Sequence, residues 1–473
     1  MLLRINTMTR RLPVVMKISA VLISTTIVIS PVYASGYHLG LQSVTAVGTG
    51  NAAAAEAADA ATIVNNPAGL VHLDGTQLET NLFVIKPDIK YSNARGVFSD
   101  GSAVQGPEHG NIANTAQLVP QLYFSHRLND RWGMGLGVYI PYAARTNDSS
   151  DSVLRYNVNK TNVKALNINP AVAYKINDRH SLGVGLIAQY LHAEVQKYAD
   201  FTPVGSAQSG IPQSVLHQKA PGAFDARATV KGNDWGYGFN AGWLWDINDD
   251  VRVGVSYRSK INQHLHGTAR WKPMGKFAEN YAPLFEQFGF KALEGAQVQI
   301  TTPEVVSVHG MWKVNPQWNV FSNVSWTRSS RLHALDIKFE NDKAIDPVHG
   351  ATSNTTHIAT NWRDTYAVGV GASYQQNPHL QWRFGVNYDQ SPVRSASSRL
   401  STIPDGNRWL FGAGFKYDVD KKNTVAVSYA YLHIQHTHMN QQDEGTHVSS
   451  NVRGEADYRS NAHIAGVSYT YRF

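Results

Sequence analysis

Apolar and polar residues alternate along most of this chain, in segments of eight or more residues. In the segment 251–258, valines and a tyrosine occupy every second position, with glycine, serine and arginine between them. A period of two is the pattern of a β-strand that has one apolar and one polar face. The same alternation recurs at 380–389 and 409–418. The chain is therefore predicted to consist largely of strands.

Fourteen strands of this kind are predicted, and many are longer than the usual strand of a soluble protein. A long strand, repeated an even number of times, is typical of a transmembrane β-barrel. The predicted strands lie at residues 78–90, 116–127, 131–142, 163–176, 179–195, 233–247, 250–266, 297–314, 316–330, 361–375, 378–390, 407–419, 422–436 and 459–473.

The connections between these strands alternate strictly between short and long. The short ones carry Asn or Asp followed by Asp, Pro or Lys, and these residue types favour tight turns. Short turns lie at 129–130, 177–178, 248–249, 315–316, 377–378 and 420–421; long connections lie at 91–115, 143–162, 196–232, 267–296, 331–360, 391–406 and 437–458. A barrel with periplasmic turns and extracellular loops requires this alternation, whereas a β-sandwich does not. We therefore predict an all-β, 14-stranded antiparallel transmembrane β-barrel that spans 78–473.

The first 34 residues have the layout of a secretory signal peptide. Four basic residues precede the apolar run 18–29, and the residues at 32–34 suit a cleavage site. The four are Arg4, Arg10, Arg11 and Lys17, and removing them leaves +3 of the formal charge of +7. Nucleic-acid binding therefore has little support. The chain contains no cysteine, which excludes a disulfide scaffold.

Aromatic residues support a location in the outer membrane of a Gram-negative bacterium. The last predicted strand alternates up to Phe473, and a terminal aromatic residue resembles the signal by which outer-membrane barrels are recognised for assembly. An ordinary terminal strand is the alternative interpretation. Trp132, Trp235, Trp318 and Trp409 lie near predicted strand ends, where they suit the aromatic girdles of a barrel.

Residues 35–77 do not follow the strand pattern. They are rich in Ala and Gly and turn sharply at Asn66-Pro67. Small side chains and short helical propensity suit a segment that packs inside something. A mobile N-terminal arm is the alternative, but a plug, or hatch, in the barrel lumen is the prediction.

The third predicted strand contains a proline, Pro141, followed by Tyr142. Proline cannot donate to a strand ladder, so it indicates a bulge, a kink or an interruption. In a closed barrel an interruption opens the wall. The alternative is that Pro141 simply ends the strand below its loop.

One long loop, 267–296, carries an apolar stripe at roughly helical spacing. The stripe consists of Phe277, Tyr281, Leu284, Phe285 and Phe288. It is expected to pack on the loop 196–232, where the two could form a groove on which a hydrophobic ligand first lands. A small local loop core is the alternative, and both interpretations can hold together.

Several segments in a fixed order carry a family resemblance: residues 48–59 with Asn66-Pro67-Ala68, and the segments 233–242, 388–393 and 403–409. With them, the chain resembles the FadL family of outer-membrane long-chain fatty acid transporters, from its mature N-terminus to its last residue with gaps in the long loops. The resemblance implies a fourteen-stranded barrel blocked by an N-terminal hatch, which agrees with the strand count made without it.

The resemblance also implies which residues meet the ligand. Asn66, Pro67 and Ala68 of the hatch would lie near the substrate pocket, which the N-terminal Gly36-Tyr37-His38 would reach. Lys197 would face a carboxylate, with apolar walls around the acyl chain; a solvated lysine at a strand end is the alternative. A second basic partner would lie within 331–336, where Asp336 weakens the match. The interrupted third strand, at Pro141 and Tyr142, would be a lateral exit into the bilayer.

Other functions find less support. The chain has no Gly-x-Ser-x-Gly, His-Glu-x-x-His or phosphate-loop motif, so an enzyme is not expected. Histidines at His264, His266, His433, His436 and His438 are more consistent with solvent-facing positions than with a metal site. The rivals are an open porin and a channel for aromatic hydrocarbons. We predict a monomer without a cofactor, surrounded by outer-membrane lipids, whose ligand is a fatty acid or another hydrophobic compound.

Overall fold

The computed structural model describes residues 38–346, 350–442 and 452–473, so the predicted signal peptide and Tyr37 lie outside it. Twenty strand segments form one antiparallel sheet, which closes because the first segment pairs with the last. Six pairs of consecutive segments continue one another, and the wall therefore has fourteen strands, as predicted. The segments are β1 (Thr76–Val97), β2 (Gly110–Ala113), β3 (Gln117–Arg127), β4 (Trp132–Tyr139), β5 (Ala143–Asn147), β6 (Val158–Lys175), β7 (His180–Asp200), β8 (Asp225–Asp246), β9 (Val251–Arg258), β10 (Ile261–Pro273), β11 (Glu294–Thr302), β12 (Val305–Lys313), β13 (Trp318–Thr327), β14 (Ala334–Asp346), β15 (Ala351–Ala359), β16 (Thr365–Gln375), β17 (Leu380–Asp389), β18 (Arg408–Asp418), β19 (Asn423–Gln442) and β20 (Arg453–Arg472).

The helices are short and lie before β1 or in the long loops. They are α1 (Val44–Gly48), α2 (Thr62–Asn65), α3 (Thr202–Ser209), α4 (Gln213–Lys219) and α5 (Gly275–Gln287), together with 3-10 turns at Ala53–Ala55, Pro67–His72, Ser329–Arg331 and Ala396–Ser398. No helix in the described part of the chain is long and apolar enough to cross a membrane.

The six short connections are tight turns, as predicted, and their first side chain explains why. In each turn one side-chain oxygen accepts hydrogen bonds from two backbone N–H groups, two and three residues further on. The accepting residues are Asn129, Asn177, Asn248, Asn315, Asn377 and Asp420. Such a local bond lets Asn or Asp fix a turn without help from the rest of the fold.

The strands extend further into the predicted loops than the sequence indicates. The segment β7 continues to Asp200 and β8 begins at Asp225, although 196–232 is predicted as a loop. The predicted loop 331–360 is mostly the pair β14 and β15. Beyond the lipid, both faces of a strand meet water or loops, so the apolar–polar alternation disappears while the ladder continues.

The outward face of the barrel carries a continuous apolar belt. Leu82, Leu136, Leu186 and Val324 on different strands are 40% to 67% exposed, as expected for side chains that face lipid. The four predicted girdle residues are also exposed: Trp132 at 42%, Trp235 at 45%, Trp318 at 38% and Trp409 at 38%. Trp132 and Trp318 begin their strands at the turn side, and Trp409 lies at the loop side of β18.

The segment 38–75 is almost completely buried and contacts strands on every side of the barrel. Its α1 packs on β17, β18 and β19, and its Pro67–His72 turn packs on β4, β6, β7 and β8. We infer that this segment occupies the lumen, because no other location contacts all these strands at once. Arg383 of β17 binds Glu56 at 2.6 Å, and Arg252 of β9 donates to the Glu56 carbonyl.

The third barrel strand is interrupted at the predicted proline. The segment β4 ends at Tyr139 and β5 resumes at Ala143, so Pro141 breaks the strand and does not simply end it. Among the described residues, β5 pairs with β6 but with neither β2 nor β3. The N-terminal segment occupies this place instead: Leu39 N–H donates to the Pro141 carbonyl at 2.9 Å, and the Gln121 side chain donates to the Leu41 carbonyl.

Candidate functional site

A narrow apolar cavity lies in the outer half of the lumen. It is lined by inward-facing side chains of β6, β7, β8, β10, β11, β14 and β15, which the alternation of each strand turns towards the barrel axis. Its walls include Val195, Val230, Leu265, Val298, Ile337 and Ile358. Polar groups are few, so this cavity suits an apolar chain and would not hold water well.

Lys197 lies on β7 at the outer continuation of this cavity. It lines a smaller apolar space together with Trp271 and Phe339. Val195, Val230, Ile337 and Ile358 line both spaces, so the two are adjacent. The predicted cation and the apolar cavity are therefore next to each other, with the cation on the loop side.

The loop 390–407 closes the cavity from another side, and two segments of the family resemblance meet there. Ser391 N–H donates to the Asn407 side chain at 3.0 Å, and Ser391 Oγ donates to Asp405 at 3.0 Å. Asp405 also binds Arg408 at 2.7 Å. These bonds hold the loop so that Leu400 and Ile403 line the cavity. The sequence pattern does not predict this role, although the segment 403–409 carries part of the family resemblance.

The predicted aromatic stripe is the apolar face of α5 and the turn after it. Phe277 and Phe285 are buried, whereas Tyr281, Leu284 and Phe288 are partly exposed. The stripe packs on the loop between β7 and β8, as expected, since the Phe277 and Phe201 rings stack at 4.9 Å. Phe277 N–H also donates to the Ala223 carbonyl at 3.0 Å. The two loops therefore form one aromatic cluster above the cavity.

A histidine joins the outer loops at a second point. His217 of α4 binds Asp200 at 3.1 Å and Asp100 at 3.2 Å, and its ring stacks on Phe98 at 3.6 Å. Burial alone would lower the pKa of His217, but hydrogen bonds and the negative charge of the two aspartates outweigh it. The pKa of His217 is therefore raised above its usual value, and its imidazole links the loop after β1 to the loop after β7.

The predicted hatch residues do not reach the apolar cavity. Asn66 is fully buried and donates to the carbonyls of Trp243 and Val255, while its Oδ1 accepts from Ala68 N–H. Ala68 is also fully buried, and Pro67 borders a separate polar cavity of about 170 Å³. His38 and Arg258 line this polar cavity too. Its position between the N-terminal segment and the wall is distinct from that of the apolar cavity.

The charged residues of 331–336, where a second basic partner is expected, form ion pairs with other protein side chains. Arg331 binds Glu304 with both nitrogens of its guanidinium edge, at 2.6 and 2.9 Å. Asp336 binds His357 at 2.5 Å. Neither side chain lines the apolar cavity, and of the predicted charged groups Lys197 lies next to it, in the adjacent space.

A closed fourteen-stranded barrel with a lipid-facing belt, short turns at one end and long loops at the other defines an outer-membrane protein. The chain belongs to the family described as "Outer membrane protein transport protein (OMPP1/FadL/TodX)", whose profile matches residues 25–473. It is accordingly a transport protein of the outer membrane and not an enzyme.

Relatives and solved structures agree with this assignment. An outer membrane protein of Neisseria meningitidis is 42% identical over 98% of this chain and 99% of its own length. The long-chain fatty acid transport protein of Escherichia coli K12 is 25% identical over 96% of this chain and 98% of its own length. A Pseudomonas aeruginosa FadL homologue has the same fold, with a TM-score of 0.81 and 21% identity over 93% of this chain and 100% of that one. The Pseudomonas putida toluene transporter TodX gives a TM-score of 0.65 with 16% identity over 93% of this chain and 100% of that one.

Proposed function

We propose that this protein takes up long-chain fatty acids, or closely similar single-chain amphiphiles, by passive passage through the outer membrane. The ligand is captured at the aromatic cluster of α5, enters the apolar cavity, and leaves sideways at the interrupted third strand. The observation that carries the proposal is an apolar cavity with a lysine at its outer end.

The cavity walls favour an alkyl chain. Each methylene that moves from water into such a cavity contributes about 0.8 kcal/mol, so a long chain gains several kcal/mol from burial alone. The Lys197 space adjoins the cavity, so one extended molecule would place its head at Lys197 and its tail in the cavity.

Lys197 separates the two rival cargoes. A fatty acid presents a carboxylate, and a charge-assisted hydrogen bond from an ammonium group to a carboxylate is stronger than one between neutral groups. An aromatic hydrocarbon offers this lysine only a cation–π contact and no charged partner. Lys197 therefore favours the acid over a compound such as toluene, which the related TodX carries.

The segment 35–77 acts as a hatch in this proposal, because a filled lumen is incompatible with an open porin. An exit into the aqueous periplasm would return every methylene to water at about 0.8 kcal/mol each. The break between β4 and β5 offers a route to the bilayer that avoids this cost. Pro141 and Tyr142 lie at that break, and the N-terminal residues that now cover it would have to move.

The test compares a fatty acid with the alcohol of the same chain length. Lys197→Met should weaken binding of the acid by about 1.5–3 kcal/mol and leave the alcohol almost unchanged, because only the acid has a charge to lose. Lys164→Met is the matched control, since Lys164 lies on the outward face of neighbouring β6. Calorimetry or ligand displacement on the purified protein measures both affinities. Equal losses for acid and alcohol would show that Lys197 does not bind the carboxylate.

A further inference from the structure

The barrel wall is interrupted a second time, far from the third strand. The ladder between β12 and β13 ends at the pair Val305–Thr327, and β11 pairs with β14 only from Val298–Ile337 outward. Between these points, none of residues 299–303 forms a ladder pair with any of residues 329–336. All of these residues belong to the described range 38–346.

A mismatch in chain length produces this gap. Along one strand, Val305 lies seven residues after Val298. Along the neighbouring strand, Ile337 lies ten residues after Thr327. The extra residues include the 3-10 turn Ser329–Arg331, which stands where a ladder with β11 would otherwise continue. The residues after this turn are bonded to the chain beyond β15 and not to β11. The N–H groups of Thr360 and Asn361 both donate to the His333 carbonyl. Across the gap, the Arg331 guanidinium binds the Glu304 carboxylate at 2.6 Å, so side chains and not a ladder join the two edges.

A cleft of about 430 Å³ lies on the outer face of this gap. It is lined by outward side chains such as His264, Gln299 and Thr301 of β10 and β11, and by Lys338 of β14. The apolar cavity lies directly behind it, because Gln297, Val298 and Leu332 line both spaces. Val298 and Leu332 therefore lie between the cleft and the lumen, at a place where no ladder joins the strands between the pairs Val298–Ile337 and Val305–Thr327.

The depth of the gap in the membrane fits a passage for amphiphiles. Val324 is 46% exposed on the lipid face, and the aromatic pair Trp326–Tyr366 follows at the outer edge of the belt. The gap begins three residues beyond Trp326, which puts it in the headgroup layer of the outer leaflet. Unpaired backbone groups are not tolerated in the hydrocarbon core, but water and headgroups can satisfy them at this level.

We propose that this gap is a second side opening, through which a single-chain amphiphile in the outer leaflet enters the apolar cavity directly. The inference rests on the proposed function. The polar head lies in the cleft and the alkyl chain passes between Val298 and Leu332. Charges of both signs, Lys338 and Asp336, suit a small head better than a bulky polyanionic one. The opening is an entrance, and the third-strand break remains the exit.

The absence of cysteine from the chain makes a direct test possible. Gln299→Cys places one thiol in the cleft, and a bulky maleimide attached after folding should block the opening. Gln435→Cys is the matched control, because Gln435 is an exposed glutamine just beyond the girdle on β19. The protein is reconstituted in vesicles, and stopped flow follows a fluorescent fatty acid from the surrounding bilayer into the cavity.

The labelled Gln299→Cys protein should fill about tenfold more slowly than before labelling, which corresponds to a barrier higher by about 1.4 kcal/mol. Its equilibrium affinity should not change, because Gln299 does not line the cavity. The labelled control should fill at the unlabelled rate. Equal rates for both labelled proteins would overturn the second opening while leaving the proposed function intact. Absence of saturable binding in the unlabelled protein would instead overturn the proposed function, and the opening with it.

Discussion

The ion pair between Arg383 and Glu56 is expected to hold the lumenal segment in the barrel. Arg383 is 1% exposed and Glu56 is 13% exposed, and one guanidinium nitrogen lies 2.6 and 2.8 Å from the two carboxylate oxygens. The same guanidinium also donates to the side chain of Gln381 on its own strand. Glu56→Ala would remove the only one of these partners that belongs to the lumenal segment and carries a charge.

The size of the effect follows from burial. Removing one partner of a buried ion pair leaves the other charge without compensation and costs about 3–5 kcal/mol, whereas replacing both partners by apolar residues is often close to neutral. Glu56→Ala should therefore destabilise the docked segment by about this amount. The double variant Glu56→Met/Arg383→Met should restore most of the loss.

Hydrogen exchange of the lumenal segment measures this loss. Its amides exchange through local opening, so their rate reports the free energy of docking separately from that of the barrel. A loss of about 3–5 kcal/mol should accelerate exchange in the segment 44–66 by roughly a hundredfold to a few thousandfold. The barrel strands should exchange as before. Unchanged exchange of that segment in Glu56→Ala would refute the idea that this pair anchors it.

Two further predictions concern the outer loops and the lumen. The raised pKa of His217 means that its link to Asp200 and Asp100 is complete below about 6.5, the usual value, and is lost as pH rises through the higher folded-state pKa. A spin label on α4 should therefore become more mobile at alkaline pH, and His217→Gln should abolish that pH dependence; a label whose mobility does not change with pH would contradict the link. Deleting residues 35–77 should turn a nearly closed protein into a conducting pore in planar bilayers, and an unchanged conductance from a folded barrel would rule out the hatch.

The sequence predicts those parts of the fold that depend on local rules. The six turns are correct because a single Asn or Asp fixes each one through its own side chain. The strand count is correct because lipid imposes an apolar outward face over the middle of every strand. The predicted strand ends are wrong where the strands extend beyond the lipid, as in the hairpin of β14 and β15.

Proline shows the limit of local reasoning. Pro87 and Pro120 lie inside β1 and β3, which continue through them, and each is held by an unbroken ladder on one side, Pro87 to β20 and Pro120 to β1. Pro141 lies at a real break, since the carbonyl of that residue bonds to Leu39 and not to a neighbouring strand. The same residue type therefore gives different outcomes, and the N-terminal segment decides between them.

The candidate site was only partly accessible from sequence for a related reason. Lys197 was found through the family resemblance, but Ile337 and Ile358, which join its space to the cavity, lie in a predicted loop. Leu400 and Ile403 reach the cavity only because Asp405 holds their loop inward. Contacts of this kind form only when the whole barrel closes, and a short segment of sequence does not predict them.

Filling the apolar cavity tests the central claim most directly. Val230 lies at the junction of the cavity and the Lys197 space, so Val230→Trp should block the path. Val255→Trp is the control, because Val255 is 38% exposed on the lipid face. Uptake of a labelled long-chain fatty acid is measured in cells that lack their own transporter, with folded barrel confirmed in the outer membrane for each variant. The account predicts uptake with the control and its loss with Val230→Trp, and normal uptake by a folded Val230→Trp protein would contradict it.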